Sequence, residues 1–588
     1  MRIALAQLNP TSGDIDGNTR KIIDAVADAS ARGADLLVTP EMAIPGYCIG
    51  DLVEDHGFLA ANERALQRVA AAASSLTAIV GFIDHHPSER NDNGTILKYN
   101  AAAVVSQGRV LQRAHKSLLP NYRYFDDKRY FAPAHVRETV DVTLGGRSVR
   151  LGVSICEDMW DEYYAVKPLP ELVARGADLL VNINASPFYP GKRQERDALI
   201  RGHIARLGKP FVYVNTSGAA DNGKNIIPFD GESLVYAADG RLLAAGRQFG
   251  EELLIVDLDP NKAAPPITLR PLEREREMYD ALVMALRDYM SKTGFTRAVV
   301  AVSGGIDSAL ALAIAVDALG PDNVSAFNMP SRFNTETTKS IAAQVAGALG
   351  VAYGVIPIQA LAEHIQQEFE AHAHPIARGF TRENLQARIR GILMMAESND
   401  TGALLISCGN ETEIALGYAT LYGDMCGGIS LIGDLSKIDV YRLARHVNER
   451  HGAEKIPEAT FRIVPSAELA ANQFDPFDYA VVAPLVGEMV ERRLSAANLL
   501  ELFERRALDP NRFPPDADGR TVYDKHTAAT FRAVLDDTAG RLRRSVYKRL
   551  QGPPIVAVSE RAFGFDLRET IINGWAGDEA NGGISPQS

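Results

Sequence analysis

Cysteine is scarce in this chain: Cys48, Cys156, Cys408 and Cys426 are the 4 among 588 residues. So few and so scattered, they form neither a disulfide framework nor a metal-finger spacing. Positive charge is also in short supply. Lysine and arginine total 62 against 74 acidic residues, a formal net charge of −12, which argues against nucleic acid as the main partner. No unbroken apolar run reaches the roughly 18 residues of a membrane span. The opening Met1-Arg2-Ile3-Ala4-Leu5-Ala6 reads as a strand and not as a signal sequence. The Walker phosphate loop, G-x-x-x-x-G-K-S/T, is absent. The expectation is a cytoplasmic protein that handles small molecules, with no nucleic-acid and no membrane partner.

What is present is ordinary for a globular protein, 46% hydrophobic and 23% charged residues. The length exceeds what one core supports, so at least two domains are expected. In the first half, short apolar runs at 3–8, 36–39, 78–82, 101–105, 151–155, 179–184 and 211–215 read as strands. Helical stretches such as 18–32 lie between several of them, which predicts a layered α/β domain. Residues 263–271 are proline-rich and extended. The expected division is a first domain 1–262, a linker 263–274 and a second domain 275–588, entered by a charged helix over 273–291. There, strands at 298–302, 324–328, 354–358 and 403–407 alternate with helices at 309–319, 335–349 and 383–398. Pro357 suits a strand at a sheet edge or a strand end. This alternation predicts a doubly wound parallel sheet with a ligand across the carboxyl ends of its strands.

Between the strand at 298–302 and the helix at 309–319 stands Ser303-Gly304-Gly305-Ile306-Asp307-Ser308. Glycines let backbone approach an anion, and the free N–H groups of a helix start point at it. A lone Gly-Gly suits an ordinary tight turn; two serines and an aspartate at this spacing point to a phosphate cradle. In the first domain, Glu41, Lys116 and Cys156 stand at or near strand ends. Each alone reads as an ordinary solvated or core residue. Their sequence contexts change that reading.

The loop resembles the pyrophosphate loop of ATP pyrophosphatases, enzymes that split ATP into AMP and pyrophosphate to activate a carbonyl group. The contexts Pro40-Glu41, His115-Lys116-Ser117-Leu118-Leu119-Pro120 and Ile155-Cys156-Glu157-Asp158 resemble the catalytic triad of the nitrilase, or carbon–nitrogen hydrolase, superfamily. Asn9 to Asp14 and Asn184-Ala185-Ser186-Pro187-Phe188 fit the same family. That resemblance implies an α-β-β-α layered first domain.

Residues 119–131, running from Leu119-Pro120-Asn121-Tyr122 to Arg129-Tyr130-Phe131, resemble a segment of the glutaminase domain of glutamine-dependent NAD synthetases. Glu383 to Arg390, Ser407 to Glu413, Gly417 to Asp424, Asp434-Leu435-Ser436-Lys437, Tyr547-Lys548-Arg549 and Arg561-Ala562-Phe563-Gly564 follow in that family's order. The resemblance spans essentially the whole chain. It implies a homo-oligomeric ligase of NAD biosynthesis that converts deamido-NAD to NAD through an adenylated intermediate. Nitrogen comes from glutamine, and AMP, pyrophosphate and glutamate are released. An ammonia tunnel belongs to the same implication.

By position, Glu41, Lys116 and Cys156 are catalytic, and Tyr122, Glu157, Ser186 and Lys192 meet the glutamine, with Arg193 a further candidate for its carboxylate. Ser303, Gly304, Gly305, Asp307, Ser308, Arg388, Cys408 and Lys437 meet ATP. Glu413, Asp424, Lys437 and Lys548 meet deamido-NAD, Arg332 lies in the nucleotide region, and Asp307 and Glu413 hold Mg2+, which suits hard oxygen ligands. Residues 452–479 resemble a mobile loop near the nucleotide; a surface insertion is the alternative. Two positions depart from the family. Asp127 replaces a usual glutamate beside the triad, and Glu411 replaces a common lysine, which reverses the expected charge next to the nucleotide.

Three rivals compete. A glutaminase fold acting only as scaffold is opposed by the intact Glu41, Lys116 and Cys156 set. A tRNA-modifying ATP pyrophosphatase calls for a basic surface that a chain at −12 does not offer. A nitrilase joined to a nucleotide sensor does not need the Asp307 and Glu413 pair.

Overall fold

In the computed structural model, which describes residues 1–91, 94–258, 267–269, 272–516 and 518–572, the first strand already shows the logic of its domain. Side chains alternate across a strand. From Arg2–Gln7, Ala4 and Ala6 pack with Ile22 and Val26 of the helix Ile15–Ala31 and with Leu66 and Val69 of the helix His56–Ala72. Ile3 and Leu5 face the other way and join Leu151, Val153, Leu179, Val181, Val212 and Val214 of a second sheet. That sheet turns Leu180, Phe211 and Tyr213 outward onto Leu169 and Leu172 of Pro168–Ala174 and onto Ile200 and Ile204 of Lys192–Leu207. The result is helix, sheet, sheet, helix, the layering the nitrilase resemblance implies.

The two sheets have matching plans. The first runs Glu252–Asp257, Arg2–Gln7, Leu36–Val38, Thr77–Arg90, Ile96–Ser106, Arg109–His115. The second runs Leu242–Ala245, Leu234–Tyr236, Phe211–Asn215, Leu179–Asn184, Arg147–Ile155, Val140–Leu144. In each, the central pairs are parallel and the flanking pairs antiparallel. Strand ends that carry the expected catalytic residues therefore gather at one end of the layers.

In the second unit, Ile555–Val556, Ile429–Ser430, Leu404–Ser407, Ala298–Ala301, Val324–Asn328 and Ala352–Val355 form a run in which every pair is parallel. Ala352–Val355 is the edge strand and ends before Pro357, whose missing N–H fits no ladder. Chain order reverses between Ala298–Ala301 and Leu404–Ser407, so the loops after these two strands flank a topological switch point. One is the Ser303–Ser308 loop and the other holds Cys408 to Asn410.

The chain divides into two compact units, Met1–Asn222 with Ile226–Lys292, and Gly223–Asn225 with the chain from Thr293 on. By its contacts the helix Arg274–Thr293 groups with the first unit as far as Lys292. Its polar side chains explain why. Asn9 Nδ2 donates to Asp288 Oδ2 at 2.7 Å, and Lys292 Nζ donates to Asn9 Oδ1 at 2.6 Å and to the Ala219 carbonyl at 2.7 Å. Of the expected linker, residues 263–266 and 270–271 lie outside the described residues.

Two candidate active sites

Glu41, Lys116 and Cys156 come from three separate strand ends and converge in the first unit, each at most 3% exposed. Lys116 Nζ donates to Glu41 Oε1 at 2.7 Å and to Asp127 Oδ2 at 2.6 Å. Burial opposes the Lys116 charge, but Asp127 and Glu41 outweigh it and hold the ammonium well above its ordinary value. Asp127, one methylene shorter than the family's usual residue, reaches the lysine from the short helix Asp127–Tyr130 and accepts from Tyr47 OH at 2.8 Å. Glu41 is held by Asn100 Nδ2 at 2.7 Å and by the Ala185 backbone N–H at 2.8 Å.

Cys156 sits at φ 44°, left-handed backbone for a residue with a Cβ, a conformation that costs about 1 kcal/mol or more and needs surrounding support. Asp158 supplies it. One carboxylate oxygen accepts from Ile155 N–H at 3.0 Å; the other accepts from Ser117 and Leu118 N–H, both at 2.9 Å. This side chain ties the cysteine turn to the backbone that follows Lys116. Burial and Glu41 push the Cys156 thiol well up, while Lys116 and the Ala185 N–H pull it down.

Around this centre lie the expected glutamine residues. Glu157 is buried, which raises its carboxyl, and it accepts from Tyr122 OH at 3.0 Å and from Tyr164 OH at 2.9 Å. Ser186 follows Ala185 and is buried, its N–H donating to Asn215 Oδ1 at 2.9 Å. Lys192 opens the helix Lys192–Leu207 with Nζ 3.6 Å from the Trp160 ring centroid. Burial pulls its ammonium down to about 8. Arg193 is not available for a substrate carboxylate in the same way, because it pairs with Glu232 at 2.5 Å. Tyr47, Asn100 and Tyr164 were not foreseen. Asn100, a polar residue inside the apolar strand Ile96–Ser106, was the one with a readable signal.

The second site is a cavity of about 880 Å3 in the second unit, lined by Ser303, Gly305, Asp307, Ser308, Cys408, Glu413, Asp424, Lys437 and Lys548 among others. The loop is locked by its own serines. Ser303 N–H donates to Ser308 Oγ at 3.2 Å, Gly305 N–H to Ser303 Oγ at 3.1 Å, and Ser308 Oγ to the Gly305 carbonyl at 3.1 Å. Gly304 has φ 93°, and a Cβ there would stand 2.1 Å from the Thr338 carbonyl oxygen, so only glycine fits.

Asp307, Glu413 and Lys437 meet at one point. Lys437 Nζ donates to Asp307 Oδ2 at 2.6 Å and to Glu413 Oε1 at 3.3 Å. Asn410 caps the helix Glu411–Leu416 by accepting from Glu413 N–H, and its Nδ2 donates to Asp307 Oδ1 at 2.8 Å. Burial raises the Glu413 carboxyl to about 7, against the pull of Lys437. Asp307 and Glu413 are hard oxygen donors of the kind magnesium takes, and here the cation between them is the Lys437 ammonium. Among the described residues no group of three His, Cys, Asp or Glu side chains could hold a metal.

Asp424 accepts from Thr420 N–H at 2.7 Å, and Lys548 Nζ donates to the Gly417 and Ala419 carbonyls at 2.8 Å each. Arg332 lines the cavity, exposed, with its guanidinium 3.9 Å from Glu363. Residues 463–475 also line it, and Glu468 fastens them by accepting from Asn334 Nδ2 at 2.8 Å and Thr338 Oγ1 at 2.9 Å.

Two expectations need correction. Arg388 does not line the cavity; it is exposed and its Nε donates to the Leu421 carbonyl at 3.1 Å. Two residues along a helix are about 200° apart, so Arg390 takes the inward place, with Nε on the Met329 carbonyl at 3.0 Å. Burial lowers its guanidinium to about 10. Glu411 does not bring negative charge to the nucleotide region either. It is 3% exposed and outside the cavity lining, and burial, with Glu491, Asp434 and Asp439 nearby, raises its carboxyl well above its ordinary value.

Among the described residues no helix is long and apolar enough to cross a membrane. Family models match both halves, carbon-nitrogen hydrolase over residues 2–265 and NAD synthase over residues 278–505. A glutamine-dependent NAD(+) synthetase of Synechocystis sp. is 36% identical, covering 97% of this chain and 98% of its own. That of Thermotoga maritima is 37% identical, with coverage of 97% and 98%. The solved structure of glutamine-dependent NAD+ synthetase from Acinetobacter baumannii in complex with ADP matches with TM-score 0.70 and 32% identity over 98% of this chain and 99% of that one. With both sites and both halves accounted for along its length, the chain belongs to the glutamine-dependent NAD(+) synthetases.

Proposed function

We propose that the first unit hydrolyses glutamine and the second uses the ammonia to amidate deamido-NAD, activated by ATP. The observation that carries this reading is the presence in one chain of a buried Glu41–Lys116–Asp127 cluster beside a strained cysteine and a phosphate-loop cavity where two carboxylates face one lysine.

In the first site, Glu157 and Lys192 offer opposite charges to the ammonium and carboxylate of glutamine. Glu41 takes the Cys156 proton as sulfur attacks the amide carbon, because a thiolate and not a thiol is the nucleophile. Lys116 faces the developing oxyanion. Glu41 then gives the proton to the departing ammonia. The thioester left on Cys156 is hydrolysed to glutamate.

In the second site, the nicotinate carboxylate attacks the α-phosphorus of ATP; an acyl-adenylate forms and pyrophosphate leaves. The loop amides and Lys437 offset the charge on the leaving group, and Arg390 adds a half-buried cation. Asp307 and Glu413 would hold magnesium, which when bound neutralises phosphate charge. Ammonia then attacks the activated carbonyl and AMP departs, leaving the carboxamide of NAD. Exposed Ile392 and Met395 on the helix Gly379–Thr401 favour a homo-oligomer built on the synthetase unit.

The test is NAD formation from deamido-NAD and ATP, with glutamine or ammonium, in wild type and Cys156→Ala. The variant is expected to lose the glutamine-driven reaction and keep the ammonium-driven one. Loss of both would overturn the division of labour. A wild type that makes no NAD from either nitrogen source would remove the reading altogether.

A further inference from the structure

The inward face of the helix Lys192–Leu207 is formed by Arg196, Ile200, His203 and Ile204. Its first position should be aliphatic by that pattern, and an arginine stands there with no exposure. A buried guanidinium is costly unless paired and hydrogen-bonded. Here it is paired closely. Arg196 NH2 donates to both oxygens of Asp230, at 3.0 and 2.7 Å, with Asp230 itself 1% exposed, and its charge lies 5.1 Å from the Tyr213 ring centroid.

The chain of contacts continues. Asp230 Oδ1 accepts from Asn215 Nδ2 at 3.1 Å. Asn215, fully buried, accepts the Ser186 N–H at 2.9 Å and donates to the Ser186 carbonyl at 3.3 Å. It therefore holds the peptide groups on both sides of Ser186, directly after Ala185, whose N–H binds Glu41. In the other direction Arg196 is four residues after Lys192, on the same helix face. The neighbouring Arg193 takes Glu232 at 2.5 Å. Asp230 and Glu232 thus neutralise the two arginines of this helix start, and Lys192 is left over the Trp160 ring.

We propose that Arg196, Asp230 and Asn215 are positioning residues of the glutaminase reaction: one buried relay sets both the Ser186 loop and the Lys192 helix start, and so fixes the pocket for the amino-acid head of glutamine. The inference rests on the glutamine-hydrolysing reading above. Its chemical content is selectivity. The relay ends at Ser186 and at the Lys192 helix start, both placed at the glutamine by the reading above, and reaches the thiol and Glu41 only through the neighbouring Ala185 N–H, so its loss should weaken glutamine far more than a simple amide that lacks the amino-acid head.

The experiment uses the full chain and two variants. Asn215→Ala cuts the relay at Ser186. The double variant Arg196→Met with Asp230→Leu removes the ion pair without leaving a lone buried charge, which keeps the fold viable. Glutamate release from glutamine, ammonia release from butyramide at high concentration, and ammonium-driven NAD synthesis are measured side by side. The expected result is a rise of about tenfold or more in KM for glutamine, with butyramide hydrolysis and ammonium-driven synthesis within about twofold of wild type. Equal losses on glutamine and butyramide, or unchanged glutamine KM in both variants, would overturn the proposal. A wild type that hydrolyses no glutamine would instead overturn the reading on which it rests.

Discussion

Lys437 Nζ stands 2.6 Å from Asp307 Oδ2, at the start of the helix that follows the phosphate loop. The two residues are far apart in sequence, and their meeting defines where leaving-group charge can be held. Asp307 comes from the loop after Ala298–Ala301, whereas Lys437 opens the helix Lys437–His451, capped by Ser436. Burial pulls the Lys437 ammonium down, but Asp307 and Glu413 outweigh it and hold the group above its ordinary value.

Asp307→Asn should therefore reduce NAD synthesis from glutamine and from ammonium alike, by about a hundredfold or more, in the range seen when a preorganised charge partner is removed. Glutamate release by the first site should stay within a few-fold. Chelation of magnesium should show the same split, abolishing synthesis while glutamine hydrolysis continues. Both results are read by following NAD and glutamate in one reaction.

The two nitrogen sources should respond to pH in opposite directions. Burial holds the Lys192 ammonium near 8 in the free protein, so its positive charge is present below that value and lost above it. The glutamine carboxylate then loses its partner, and KM for glutamine should rise from about pH 8 upward. Ammonium-driven synthesis should gain over the same range, because more of the nitrogen is unprotonated ammonia. Lys192→Met should raise KM at pH 7 by about tenfold, the rough worth of a charge-assisted contact, and remove the pH dependence of glutamine KM.

A stability test follows from Asp434. Its Oδ2 accepts from Val558 and Ser559 N–H at 2.6 and 2.7 Å, and its Oδ1 accepts from Ser559 Oγ at 2.8 Å. Burial nevertheless pushes the carboxyl up to about 7. A carboxyl raised in the folded state contributes stability that is present below its unfolded value, about 3.9, and is lost as pH rises through the folded one. Asp434→Asn mimics the protonated acid: its oxygen can accept both N–H groups while its NH2 donates to Ser559 Oγ. Thermal melts should show near-equal stability at pH 4. At pH 8 the variant should be more stable by about 2 kcal/mol or more.

Much of the site was legible because its chemistry is local. The Ser303–Ser308 loop carries its own hydrogen-bond partners within six residues, so a short motif is enough to recognise it. Glu41, Lys116 and Cys156 could be picked out by their flanking residues. Arg388 was named from a motif that also holds Arg390, and the face of a helix that meets a cavity depends on what packs against it, which the motif does not state. The Glu411 expectation failed for a related reason. Glu411 and Glu413 share a short helix, yet one turns into buried structure and the other toward the cavity.

Alternation of apolar residues was enough to indicate two α/β units, and the resemblance of the motifs, in their order, was enough to indicate the family and the candidate side chains, since both are properties of the chain alone. The charge environment of those side chains was not contained in them. That Asp127 reaches Lys116 despite its shorter side chain, that Arg193 is taken by Glu232, and that Asp230 and Asn215 link Arg196 to Ser186 all depend on packing between residues distant in sequence. Coulombic and hydrogen-bond energies act through space over a few ångströms, and those distances exist only once the layers have closed.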